Sequence, residues 1–198
     1  MKKLFISLLL PGFLLSSYAA ECPCGEKGEA KHKRITVKDR IIGDSDDAVK
    51  YTFSKFYKLK ITKNQLTRIQ KDAELVLPNE NKIIKVTGYI RLLKEADDDC
   101  DIHIELAADK NPVANRIIAE VPNTEEYCDL REEIFTELKE RYNLNKKKTY
   151  RFDNQLVPKI TVYGYVFFDS GHPTGHNHGS KFVQTVFEVH PVFKIDWE

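Results

Sequence analysis

The sequence predicts a mainly β protein with some α-helix: a small β-barrel in the OB-like (oligonucleotide/oligosaccharide-binding) order β-β-β-α-β-β, preceded by a short strand and helix extension. Three observations carry this. Three stretches of strand character precede one amphipathic helical stretch, and two more strands follow it. Gly88 and Gly164 interrupt the first and fourth long strands, where a residue without a side chain lets a strand turn a barrel corner. The two glycine-bearing strands also echo each other, Val86-Thr-Gly-Tyr-Ile90 against Val162-Tyr-Gly-Tyr-Val166.

The chain opens with Lys2 and Lys3, an apolar run from Leu4 to Leu15, and small residues at Ser16, Ser17, Ala19 and Ala20. That is the layout of a secretory signal over residues 1–20, and the run is too short to span a bilayer. Cleavage near Ala19 or Ala20 leads to the expectation of a periplasmic or secreted protein. Glu21 stands before Cys22, where a lipoprotein signal would carry a small residue, which argues against a lipid anchor. Without Lys2 and Lys3 the 31 basic residues become 29 against 30 acidic ones, so no global field draws the protein to nucleic acid or an anionic surface. No later stretch is apolar for long enough to form a membrane helix.

Residues 21–34, rich in Glu, Lys and Gly without an apolar period, read as a flexible leader. Residues 35–78 form a basic, aromatic extension, and residues 79–198 the barrel domain. Within the extension, Ala48 to Lys71 contains no acid and interleaves lysines with Tyr51, Phe53, Phe56 and Tyr57. Lys55, Phe56, Tyr57, Lys58 and Lys60 could stack bases and neutralise phosphates, as in a nucleic-acid ligand surface. The alternative is an amphipathic strand with Tyr51 and Phe53 inward, then a short helix from Thr62 with Leu66 and Ile69 inward.

In the barrel, Ile83 to Leu93 is the first strand, and Ile102, Ile104 and Leu106 alternate with polar residues in the second. Arg116 to Val121 is the third, ended by Pro122. Leu130, Ile134 and Leu138 recur every four residues and predict a helix from about Thr124 to Asn143. Lys159 to Asp169 and Val186 to Asp196 complete the set, with Trp197 capping the last strand.

Cys22, Cys24, Cys100 and Cys128 in an exported chain suggest structural disulfides. Cys22 and Cys24 are too close to pair without strain, and Cys100 with Cys128 is the expected bond within the folded body. A Cys-Pro-Cys redox or metal pair is the functional alternative.

Asp101-Ile-His-Ile-Glu-Leu106, Ile118-Ala-Glu-Val-Pro122, Gly164-Tyr-Val-Phe-Phe-Asp169 and Glu188-Val-His-Pro-Val192 together resemble a family of uncharacterised bacterial proteins, many of them exported. Its members carry D-x-H-[IL]-x-L, A-E-x-x-P, G-x-x-F-F-D and terminal E-[LIV]-H-P-[VI] strands, the second of which is one residue longer than Ala119-Glu-Val-Pro122 of this chain, and the resemblance spans roughly Ile35 to Ile195. It implies domain boundaries and no established activity. Where such proteins carry a short His-Gly turn after the Phe-Phe-Asp strand, this chain has a longer stretch from His172 to His178.

Because strand side chains alternate, His103 shares one face with Asp101 and Glu105, and His190 shares one with Glu188. If the strands meet at one edge of the barrel, Asp101, His103, Glu120, Asp169, Glu188 and His190 converge. Carboxylates with imidazoles form ligand sets for zinc, manganese or iron, and a histidine held by a carboxylate serves as a general base. The alternative is a solvated face laced with weak ion pairs. His172, His176 and His178, among glycines, form a second candidate metal loop with plain turn composition. Glu95, Asp97, Asp98, Asp99 and Asp101 lack the glycine and distal glutamate of a calcium loop and read as a solvated hairpin tip.

Two functions follow. One is an exported OB-like binding module for a polyanion, glycan or protein, carrying a metal or polar site. The other is a divalent-metal-dependent hydrolase, phosphodiesterase-like, with zinc or manganese as cofactor and the Asp/His/Glu set as ligands and bases.

Overall fold

A computed structural model describes residues 22, 34–40, 42–96, 99–152, 156–171 and 179–198. The expected signal segment, Cys24, Asp97, Asp98, His172, His176 and His178 lie outside the described residues.

The chain reaches the barrel through a chain of short elements. A single helical turn, α1 (Ile35–Lys38), is followed by a 3₁₀ turn at Ser45–Asp47 and by β1 (Val49–Lys50), which pairs parallel with the first barrel strand. Where a strand through Tyr51 and Phe53 is the sequence expectation, the chain instead turns into α2 (Phe53–Tyr57). Thr52 causes the turn, its hydroxyl accepting from the Lys55 amide at 3.2 Å, and the three-residue spacing of Phe53 and Phe56 buries both. The expected helix from Thr62 is α3 (Lys63–Lys71), started by a reciprocal capping box between Thr62 and Gln65 and buried through Ile69.

The barrel strands are β2 (Ile83–Glu95), β3 (Ile102–Ala107) and β4 (Arg116–Val121), then β6 (Lys159–Phe168) and β7 (Val183–Trp197) after helix α4 (Cys128–Tyr142) and the short β5 (Thr149–Arg151). They close in the order β2-β3-β4-β7-β6 and back to β2. β4 and β7 run parallel, and the other barrel pairs are antiparallel. This is the OB order, with α4 between the third and fourth barrel strands.

Closure depends on β2 serving two neighbours: Ile83–Tyr89 pair with β6, and Tyr89–Glu95 pair with β3. The changeover falls at Gly88, where an added Cβ would lie 2.8 Å from both the Ala107 carbonyl oxygen and the Phe53 ring. At Gly164 a Cβ would collide with the Pro191 carbonyl, at the register shift between β6 and β7. Both predicted corner glycines therefore stand where backbone or ring approaches too closely for any side chain.

Inward residues alternate along every strand. Ile102, Ile104 and Leu106 on β3, Ile117, Ala119 and Val121 on β4, and Phe187, Val189 and Val192 on β7 join one buried cluster. Tyr51, Phe53, Phe56, Ile69 and Leu77 of the extension enter the same cluster, as do Ile134 and Leu138 of α4. Among the described residues no helix is long and apolar enough to cross a membrane.

The cysteine expectation needs correction. Cys128 bonds to Cys22, not Cys100, with Cα atoms 5.7 Å apart and 106 residues between them in sequence. Cys100 is also disulfide-bonded. The start of α4 faces the incoming N-terminal segment, so Cys128 ties that segment to the barrel instead of bridging within it.

Candidate functional site

The alternation that sends Ile102, Ile104, Ile117 and Val189 into the core sends His103, Glu105, Glu120, Glu188 and His190 to the opposite, outer face of β3, β4 and β7. Register then aligns them: His103 pairs with Glu120 across β3 and β4, and the parallel pairing of Ala119 with Val189 sets Glu120 beside His190. These outward side chains are nevertheless buried, His190 completely and His103 to 5 % exposure. An outer strand face that is both charged and dry is costly unless its groups satisfy one another.

Glu120 is the centre. Its Oε1 lies 2.7 Å from His103 Nδ1 and its Oε2 lies 3.2 Å from His190 Nδ1. Glu188 Oε1 is 3.5 Å from the same His190 nitrogen, while His190 Nε2 lies 3.8 Å from both Asp101 Oδ2 and Asp39 Oδ1. Asp101 accepts the Asn123 amide at 2.9 Å through Oδ1 and the Lys38 ammonium at 2.7 Å through Oδ2. Among the described residues neither His103 Nε2 nor His190 Nε2 has a hydrogen-bond partner. Ligand atoms of Asp101, Glu120 and His190 all lie within 4.8 Å of one another, and no other such group occurs among the described residues.

Next to this centre, Glu105 is held by Arg116 at 2.8 Å and by the amide and hydroxyl of Ser180 at 2.9 and 2.8 Å. A Cβ on Gly179 would lie 3.5 Å from His103 Nε2, so the returning end of the β6–β7 loop rests on the site. The N-terminal side covers it as well: Arg34 forms a two-pronged pair with fully buried Glu80 at 2.7 and 2.9 Å and docks the segment that carries Lys38 and Asp39.

The charges are set by these contacts. Burial alone would push the Glu120 carboxyl up, but hydrogen bonds from His103 and His190 hold it well below the usual carboxylate range. Burial would lower His103, but Glu105 and Glu120 raise it to about 9, so it is an imidazolium at neutral pH. Burial and Lys38 would lower His190, and Asp39, Glu120 and Glu188 hold it well above the ordinary value. Burial pushes Asp101 up to about 6, against the pull of His190 and Lys38. Lys38 keeps its charge: burial disfavours it, but Glu120, Asp101 and Asp99 more than compensate.

Of the residues named from sequence, the structure thus brings together Asp101, His103, Glu120, Glu188 and His190. Asp169 stands past the end of β6, where it accepts the Gly171 amide at 2.7 Å at the root of the β6–β7 loop. The histidine loop residues lie outside the described residues. In the basic extension, Phe56 is fully buried in the core and the Lys55 ammonium lies 3.9 Å from the centre of the Tyr51 ring. Phe56 thus presents no face for a base to stack on, because the helix period that buries Phe53 buries it too. Lys38, Asp39 and Arg116 escape sequence reasoning. Lys38 and Asp39 come from a segment with no pattern, and Arg116 announces itself only through its pairing with Glu105. No protein-family model matches the chain and no curated protein is significantly similar to it.

Proposed function

We propose that this protein is an OB-like binding module, acting outside the cytoplasm, whose recognition face is organised around a divalent cation held by Asp101, Glu120 and His190, with zinc or manganese as the ion. The observation that carries this reading is the convergence of two carboxylates and one imidazole from separate segments within 4.8 Å. Ligands sharing one ion at about 2.1 Å lie roughly 3 to 3.5 Å from each other, close to the 3.2 Å between His190 Nδ1 and Glu120 Oε2. The donor set of two oxygens and one nitrogen suits zinc, manganese or iron over magnesium.

Charge supports a cation. Around His190 stand Asp39, Asp101, Glu120 and Glu188, with Asp99 behind, and these carboxylates outnumber the Lys38 ammonium and the His103 and His190 imidazoliums; His190 would release its proton on taking the ion. His103, bonded to Glu120 Oε1, would orient that ligand from behind. The location fits too: OB barrels recognise ligands on the face of their second and third strands and on the loops joining strands one to two and four to five. Here those are β3, β4, the segment holding Asp99 and Asp101, and Gly179 and Ser180 on the way into β7.

The same ligands would serve a metal-dependent hydrolase, with Glu188 as the neighbouring base. Burial favours binding over turnover, since His190 has no exposed surface and Lys38 packs across the carboxylates. Elemental analysis of untagged protein tests the reading. One equivalent of zinc or manganese, lost in both Asp101→Asn and His190→Ala, is expected; substoichiometric metal that survives both substitutions would refute it. Turnover of a generic phosphodiester by the metal-loaded protein would move the assignment to the hydrolase.

A further inference from the structure

The proposed ion would share its place with a cation that the chain itself supplies. Lys38, the last residue of α1, brings Nζ to 2.7 Å from Asp99 Oδ2, 2.7 Å from Asp101 Oδ2 and 3.9 Å from Glu120 Oε2. Two of those three carboxylates are proposed metal ligands. A divalent ion bound to Asp101 and Glu120 would stand within a few ångströms of the ammonium, in a buried setting where like charges are poorly screened.

The backbone around Lys38 does not depend on its side chain. Arg34 anchors the segment through Glu80 and through the carbonyls of Ala73, Leu75 and Phe168, and Arg40 donates to the carbonyls of Val37 and Glu80. Tyr127 donates its hydroxyl to the Arg40 carbonyl at 3.0 Å. With both flanks pinned, the one part free to leave the cluster is the four-carbon stem of Lys38, a point charge on a flexible tether.

Resting on the metal reading above, we propose that Lys38 is a displaceable internal counter-ion: its ammonium occupies the cation subsite at Asp101 and Glu120, and a divalent ion enters only as Lys38 swings out. Lys38 therefore sets the affinity of the site. It holds the carboxylates together in the metal-free protein and makes any incoming ion outcompete two charge-assisted hydrogen bonds. An ion that also gains a bond to a His190 nitrogen, whose proton leaves to solvent as the bond forms, wins that contest more readily than one that prefers oxygen alone.

The test is calorimetric titration of Mn²⁺ into the untagged, disulfide-intact chain. Lys38→Met keeps most of the stem and removes the charge, Lys38→Arg keeps the charge, and His190→Ala removes a proposed ligand. We expect Lys38→Met to bind at least tenfold more tightly than the native chain, Lys38→Arg to match the native chain, and His190→Ala to weaken binding in either background. Should Lys38→Met fail to fold, Lys38→Gln takes its place with the same expected gain. Lys38→Met is further expected to melt below the native protein without metal and to recover when Mn²⁺ is added. Equal affinity in the native chain and Lys38→Met would overturn the counter-ion role while leaving the metal site standing. Absence of Mn²⁺ binding in every variant, Lys38→Met included, would overturn both.

Discussion

Glu120 and His190 are 70 residues apart in sequence, yet Glu120 Oε2 and His190 Nδ1 lie 3.2 Å apart. The contact exists because β4 and β7 are parallel neighbours, a pairing that arises only when the barrel closes. The site is thus a consequence of closure, and its charges are linked to the stability of the fold. Replacing Glu120 by Gln removes the charge between two imidazoles and leaves both imidazoliums without their main partner. The expected loss is about 3 kcal/mol or more, since breaking a buried ion pair from one side strands the other charge. Urea unfolding of the metal-free protein measures it, and a loss below about 1 kcal/mol would mean that the cluster behaves as a solvated one.

Glu105 gives a pH dependence with a definite sign. Burial would raise its carboxyl, but the His103 imidazolium 3.8 Å away and hydrogen bonds from Arg116 and Ser180 lower it from 4.5 to about 2. Because the folded value is depressed, the stabilisation is fully present above the unfolded value of 4.5 and is lost as the pH falls through about 2. The amount at neutral pH is roughly 3 kcal/mol, at about 1.4 kcal/mol for each tenfold change in proton affinity. Unfolding free energies between pH 2 and 6 should therefore fall more steeply in the native protein than in Glu105→Gln. Parallel curves would show that Glu105 is not held as described.

Much of the barrel is legible in the sequence because period-two alternation is local. Ile102, Ile104 and Leu106 mark the inward side of β3 without knowledge of any other strand, and the same signal places His103 and Glu105 together on the outer side. Convergence of β3, β4 and β7 residues follows from the OB order, so Asp101, His103, Glu120, Glu188 and His190 could be named in advance. Lys38 and Asp39 could not. Lys38 ends, and Asp39 follows, a one-turn helix without a side-chain cap or an apolar period, and their position is decided by the docking of Arg34 onto Glu80. The Cys22–Cys128 bond was hidden for the same reason, since it depends on where that segment lies. Phe56 misled in another way, because an aromatic residue among lysines looks alike in composition whether its ring is wet or buried.

The bond between Cys22 and Cys128 closes a span of 106 residues and fastens the chain ahead of α1 to the start of α4. Removing it by Cys128→Ser is expected to cost about 2 to 4 kcal/mol through the freedom regained by the unfolded chain. Thermal melting reports the loss. Peptide mapping without reduction should recover the Cys22 and Cys128 peptides joined, and a Cys100–Cys128 peptide would contradict the structure.

Gly164 connects the barrel corner to the site. An added Cβ there would collide with the Pro191 carbonyl and lie 2.7 Å from Val189 Cγ1, and both belong to the stretch of β7 that holds His190 between them. Backbone yields less readily than the end of a side chain, so Gly164→Ala should force β6 and β7 apart locally. Overpacking of this kind costs about 1 to 3 kcal/mol. It should also carry His190 away from Glu120, because Val189 and Pro191 are its chain neighbours. Gly164→Ala is therefore expected to lower the urea midpoint and weaken Mn²⁺ binding together. Gly88→Ala, whose Cβ would meet the Ala107 carbonyl and the Phe53 ring instead, should destabilise the barrel with a smaller effect on the ion. Equal losses of Mn²⁺ affinity in the two variants would mean that general loosening of the barrel, and not the position of His190, governs the site.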